Sequence, residues 1–247
     1  MNAAPADQIR LLDLQAIDSK LDQLAHRRRS LPEHAEIEKV TADHTALKDL
    51  VVAAQAQQGD TARELTKAEQ DVEQVRTRSA RNQQRLDSGA ITSPRDLENL
   101  QHEIGSLAKR QGDLEEVVLD VMERLETAQA RVDELTARLE HSTVVLTEAE
   151  TRRDAAFAEI DGEAEKVRRD RETVVAVVPA DLLKLYTKLR EQQGGVGAAR
   201  LYQRRCEGCR TEFSITELNA IKAEPADKVV RCENCSRILV RTAESGV

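Results

Sequence analysis

Between positions 97 and 160 the apolar side chains recur at alternating steps of three and four. Leu97, Leu100, Ile104, Leu107, Leu114, Val118, Val121, Leu125, Ala128, Val132, Leu135 and Leu139 are followed by Leu146, Ala149, Ala156 and Ile160. A seam this narrow, held for roughly nine heptads and flanked by charged residues, predicts a coiled coil in place of a globular helix. Gln111, Ser142 and Arg153 interrupt it as tolerated polar positions. The upstream half carries a matching seam through Ile37, Val40, Leu47, Val51, Ala54, Leu65, Ala68, Val72, Val75 and Leu86. Between the two lies Asp87-Ser-Gly-Ala-Ile-Thr-Ser-Pro-Arg-Asp96, in which Gly89 breaks the first helix and Ser93-Pro94 starts the second. The chain is therefore expected to fold back on itself as an antiparallel hairpin, with an arm of about 75 Å over residues 37–86 at 1.5 Å per residue.

An earlier seam at Leu14, Ile17, Leu21, Leu24 and Leu31 runs two residues out of phase with the next, and the slip coincides with Pro32. A proline inside a helix removes a hydrogen bond and clashes with the preceding turn, so a kink or short break is expected there. The Arg27-Arg28-Arg29 run before it reads as a solvated helix face, with phosphate contact as the functional alternative. Past the hairpin, Pro179 opens a short helix whose Leu182, Leu183, Tyr186 and Leu189 share a face, closed by Gly194-Gly195. This helix is expected to buttress the base of the coil. Residues 198–205, 228–231 and 237–241 read as strands. The expected organisation is a mainly α chain: a coiled-coil hairpin over 1–178 with its turn near 87–96, a buttressing helix over 179–195, and a small β domain over 196–247.

That last domain holds the only four cysteines, as Cys206-Glu-Gly-Cys209 and Cys232-Glu-Asn-Cys235. Each C-x-x-C puts two thiolates on one tight turn, and two such turns supply the four soft ligands of a closed tetrahedral Zn²⁺ site. A pair of disulfides or a redox-active motif is the competing reading, disfavoured because nothing else suggests an oxidising compartment or a βαβ setting. One structural zinc is expected, with no open position for water or substrate.

Composition narrows the function. With no Trp, 2% aromatic and 33% charged residues, the chain suits long exposed helices. No apolar run, the one at residues 174–178 included, approaches the length needed to cross a membrane, so a cytoplasmic protein is expected. The formal charge is −8, yet residues 196–247 hold nine Lys or Arg against seven Asp or Glu. His26, His34, His44, His102 and His141 are scattered along the predicted rods, and no phosphate-cradling glycine loop is present. The residues thus argue against an enzyme and against a small-molecule substrate.

The layout resembles the bacterial C4-type zinc-ribbon proteins with an N-terminal coiled-coil hairpin. The resemblance rests on Tyr186 in a short helix, Gly194-Gly195, the C-x-G-C of Cys206 to Cys209, and Cys232 through Leu239 with its Arg-Ile-Leu. Leu97-Glu98-Asn99-Leu100-Gln101-His102-Glu103-Ile104 is similar to the family's segment after the hairpin tip. Departures are Ser236 where a glycine is usual, Val240 where a tyrosine is usual, and Asp96-Leu97 in place of an acidic-aromatic pair. The resemblance implies an adaptor, in a group associated with RNA binding and with chaperone-like or regulatory contacts to export and transcription components.

Two binding readings follow. The first is a non-catalytic zinc-binding adaptor that engages protein partners, with RNA as a candidate ligand, through the ribbon and the hairpin tip. Its candidate phosphate-binding residues are Arg200, Arg204, Arg205, Arg210, Arg231 and Arg237, drawn from a ribbon set that also includes Lys222, Lys228 and Arg241. Tyr202 and Phe213 read as packing around the metal rather than as base-stacking platforms. The alternative is a transcription regulator that contacts RNA polymerase through the coil tip, flanked by Asp87 and Asp96.

Overall fold

The structure, a computed structural model, describes residues 1–246. In chain order it contains α1 (Pro5–Arg29), α2 (Pro32–Asp87), α3 (Pro94–Val175), α4 (Ala180–Gln192), β1 (Ala198–Tyr202), β2 (Arg205–Cys206), α5 (Ile215–Ala223), β3 (Val230–Arg231) and β4 (Ile238–Val240). Proline chemistry sets most of these boundaries. Pro5, Pro32 and Pro94 are the first residues of α1, α2 and α3, and Pro179 immediately precedes α4. At a helix start the missing N–H costs nothing and the fixed φ is already helical. The break expected near Pro32 is a full interruption at Ser30-Leu31, where the Ser30 N–H and hydroxyl both donate to the His26 carbonyl.

By contacts the chain groups into two units: residues 35–150, and residues 1–34 together with those from 151 onward. In the first unit α2 and α3 run antiparallel, since partners descend on one helix as they ascend on the other. Arg78 meets Glu103 at 2.5 Å, Arg76 meets Glu115 at 2.7 Å, Arg124 meets Glu64 at 2.9 Å, and Gln58 bonds Gln129. These ion pairs are open to solvent, which screens them, so they add little to stability and mainly fix register. Burial along the seam provides the stability: Val51, Ala54, Val132 and Leu135 form its central cluster, with Leu47 and Leu139 against them. Thr61 and Asn82 are also buried, at seam positions that the apolar pattern skips.

In the second unit α1 packs on the C-terminal part of α3 through Leu24, Leu31, Ile160 and Ala164. Its sheet has the order β2-β1-β4-β3, with β1 parallel to β4 and the two outer pairs antiparallel. The three strands expected from sequence are modified by a tight turn. Residues 198–205 are not one strand: Gln203 and Arg204 adopt positive φ and reverse the chain into β2. The sheet is buried on both faces, with sides assigned by the alternation of side chains along each strand. Ala198, Ile238 and Val240 pack on Leu11 and Leu14 of α1 and on Leu182, Tyr186 and Leu189 of α4. Ala199, Leu201 and Leu239 face the cysteines, Phe213, and Leu218 and Ile221 of α5. Thus α4 packs against the sheet as well as against the helices. The N-terminal residues join the ribbon too: Ala3 N–H donates to Asp227 and Val229 N–H donates to Met1.

Candidate metal centre

The two C-x-x-C turns repeat the same backbone device. Arg210 N–H donates to the Cys206 carbonyl at 2.7 Å, and Ser236 N–H to the Cys232 carbonyl at 2.7 Å. Each turn then closes outward, Cys206 N–H to the Thr211 carbonyl at 3.0 Å and Cys232 N–H to the Arg237 carbonyl at 2.9 Å. Arg210 and Ser236, each directly after the second cysteine of its pair, sit at φ 62° and 60°. That left-handed conformation explains why glycine would suit the position of Ser236. Gly208 is needed for space: a Cβ there would come within 2.8 Å of Arg237 Cδ and 2.9 Å of Ala199 Cβ.

These turns bring the four sulfurs together, all within 4.8 Å of one another. Cys206 and Cys235 Sγ are 3.9 Å apart and Cys209 and Cys232 Sγ 3.8 Å apart, so no disulfide joins them. Tetrahedral Zn²⁺ with Zn–S bonds near 2.3 Å requires sulfurs about 3.8 Å apart, which fits this cluster. Burial pushes the Cys206 and Cys232 thiols up. At Cys209 burial pushes the same way, but hydrogen bonding to Thr211 and the neighbouring thiols outweighs it and brings the group down to about 6. Buried thiols without a cation hold their protons; a divalent metal would take them as thiolates. Cys206, Cys209, Cys232 and Cys235 thus form a C4 zinc ribbon for one structural zinc, with Phe213 buried in the adjoining cluster.

The arginines assigned to nucleic acid are divided by the fold. Arg237 donates to the carbonyls of Val196, Gly208 and Gln193, binding the first cysteine turn to the end of α4. Arg241 donates to the carbonyls of Ile221, Glu224, Pro225, Ala226 and Lys228, capping the end of α5. Arg200 is paired with Glu244 at 3.0 Å, and Arg204 lies 3.8 Å from Glu212. Arg231 donates to the Ser236 carbonyl but is exposed, as are Arg204, Arg205, Arg210 and Lys222, while Lys228 is half-buried. In the Arg27-Arg28-Arg29 run, Arg27 pairs with Glu159 and Arg28 with Asp161, and the Arg28 guanidinium lies 4.0 Å over the Phe157 ring.

Sequence reasoning passed over one buried centre. Asp18, 2% exposed, accepts from Tyr186 Oη at 2.7 Å and from Arg171 at 2.6 Å, with Arg190 at 3.5 Å. Nearby, Gln15 accepts from Gly197 N–H at 2.7 Å and donates to the Gly195 carbonyl at 2.9 Å. These side chains join α1, α3, α4 and the entry to β1. Burial, then the bond to Asp18, raises the Tyr186 hydroxyl well above its ordinary value. The signal was present in the spacing: Asp18 falls between Leu14 and Leu21 at steps of four and three, a carboxylate on the seam.

Comparison with known proteins agrees with both parts. Residues 14–194 match the CT398-like coiled coil hairpin domain, and residues 205–239 match the C4-type zinc ribbon domain. The chain is 37% identical over 241 residues to the uncharacterized protein Rv2229c of Mycobacterium tuberculosis, covering 98% of each. A solved structure from Mycobacterium smegmatis, 34% identical, superposes with a TM-score of 0.86 over 98% of this chain and 100% of that one. CT398 from Chlamydia trachomatis, 18% identical, shares the fold with a TM-score of 0.71 over 96% of this chain and 98% of its own. The chain belongs to the family of CT398-like coiled-coil hairpin proteins with a C-terminal C4-type zinc ribbon.

Proposed function

We propose that this protein is a non-catalytic adaptor, in which zinc holds the ribbon as a binding platform and the α2–α3 hairpin presents a second contact surface. The observation that carries this reading is the composition of the metal centre. Four cysteines fill the coordination of a zinc ion, which leaves no position for water or substrate, so the metal's role is to hold a surface in shape. Protein partners are the favoured ligands. RNA remains a candidate for the exposed ribbon residues Arg204, Arg205, Arg210 and Arg231, whereas Arg237 and Arg241 are committed to backbone carbonyls. Charge counts against a polymerase contact by an acidic tip, because residues 74–110 hold seven Lys or Arg and four Asp or Glu. Affinity capture from the native cell, comparing the wild type with Cys206→Ser, tests the reading. Partners that depend on an intact ribbon are expected; an identical partner set with the ribbon disrupted would remove the ribbon's part in it.

A further inference from the structure

Charge along the α2–α3 hairpin is divided by position. Within the unit 35–150, residues 74–110 around the turn hold seven Lys or Arg against four Asp or Glu, while the remainder holds seven against twenty. A basic tip thus follows an acidic shaft. On α2 the tip presents Arg78, Arg81 and Arg85 beside a groove whose lining also includes the carboxylates Glu73 and Glu103. Glu103 holds Arg78, but Arg81 and Arg85 are exposed and have no ion-pair partner among the described residues. On the shaft, Glu126, Asp133 and Glu140 of α3 are exposed and repeat every seven residues, about 10.5 Å per step, whereas the unpaired Arg81 and Arg85 lie about 6 Å apart along α2. The row continues to Leu119, an apolar side chain 61% exposed. A shaft laid along the tip would therefore bring a row of carboxylates to the unpaired guanidinium groups of Arg81 and Arg85.

We propose that the arginine tip docks on the acidic shaft of a second copy of this chain. Nucleic acid fits less well: residues 74–110 contain no Phe, Tyr or Trp on which a base could stack, and a long polyanion would run beside the shaft's twenty carboxylates. The chain itself supplies an exposed carboxylate row of opposite charge, and a two-fold pair would use the contact twice. Repulsion between the acidic units is damped beyond about 8 Å at physiological salt, whereas pairs in contact persist. This assignment rests on the reading of the tip as a contact surface, and it fails separately from the ribbon-dependent capture described above.

The test is sedimentation equilibrium of the zinc-loaded full chain at loading concentrations up to about 100 μM, where contacts of modest affinity populate a dimer. Wild type is expected to dimerise. Arg81→Glu with Arg85→Glu should weaken dimerisation about tenfold or more, as should Glu126→Arg with Asp133→Arg and Glu140→Arg. An equimolar mixture of the two variants should recover association, and helical circular dichroism should match wild type throughout. A monomeric wild type, a dimer indifferent to both variants, or a mixture that stays monomeric overturns the proposal. A monomer that retards a labelled RNA hairpin through Arg81 and Arg85 overturns it in favour of nucleic acid.

Discussion

At residue scale, the ribbon carries strain where its sequence departs from glycine. Arg210 and Ser236 both hold the left-handed conformation, which costs an L-residue roughly 1–2 kcal/mol relative to glycine. Ser236→Gly is therefore expected to raise the melting temperature of the zinc-loaded protein, with a gain of about 1 kcal/mol, and Arg210→Gly should behave alike. The opposite holds at Gly208. Any Cβ there meets Arg237 and Ala199, and displacing Arg237 disturbs the three carbonyls it binds, so Gly208→Ala should lower the same transition. An Arg237→Lys variant probes the cause, because lysine cannot reproduce the planar fork and should also destabilise. Ordinary behaviour of Ser236→Gly, with no gain in thermal melts, would show that the turn is already relaxed.

At element scale, what was legible depended on the range of the signal. Long helices, their proline starts and the turn between them follow from local chemistry that repeats over many residues. Short elements do not repeat. The helix α5 went unread although Ser214 and Glu217 form a capping box in which each side chain takes the other's backbone N–H. Residues 198–205 passed for one strand because neither Gln203 nor Arg204 advertises a turn by type. The Asp18 centre escaped because its partners Arg171, Tyr186 and Arg190 all lie more than 150 positions away in sequence. Its energetics can be measured. Tyr186→Phe removes a hydrogen bond to a charged group and should cost about 2 kcal/mol in urea unfolding. Asp18→Ala strips three partners of their carboxylate and should cost more, about 3 kcal/mol. Since burial and Asp18 raise the folded-state pKa of Tyr186, its contribution is fully present below the free tyrosine value of about 10 and falls away as pH rises beyond it. The stability difference between wild type and Tyr186→Phe should consequently shrink on moving from pH 9 toward more alkaline solution; a constant difference would mean that folding does not shift the titration of the hydroxyl.

At the scale of the whole molecule, all four metal ligands were readable because spacing alone defines them, whereas the structural commitments of the ribbon's arginines were not. Charge is visible in a sequence, but the commitment of Arg237 and Arg241 to carbonyls appears only once the strands are placed. The same placement changes what zinc does. One face of the ribbon's sheet is packed by Leu11, Leu14, Leu182 and Tyr186, so the metal is not its only support. Metal removal should therefore release the other face, with Phe213, Leu218 and Ile221, while β1 and β4 stay on α1 and α4. Limited proteolysis after chelation is expected to cut first between residues 206 and 235 and to leave the α2–α3 seam intact, since no ligand lies in residues 35–150. Cleavage spread through α1 and α4 would instead make the metal essential to both faces. Acid should reproduce the effect of chelation. With the Cys206 and Cys232 thiols raised by burial, both are protonated at neutral pH without metal, and binding must expel at least those two protons. Apparent zinc affinity should then fall by about 100-fold or more for each unit of pH decrease near neutrality. Competition against a chromophoric chelator at pH 6.5 and 7.5 reads this directly, and an affinity unchanged between them would mean that the metal-free thiols are already ionised.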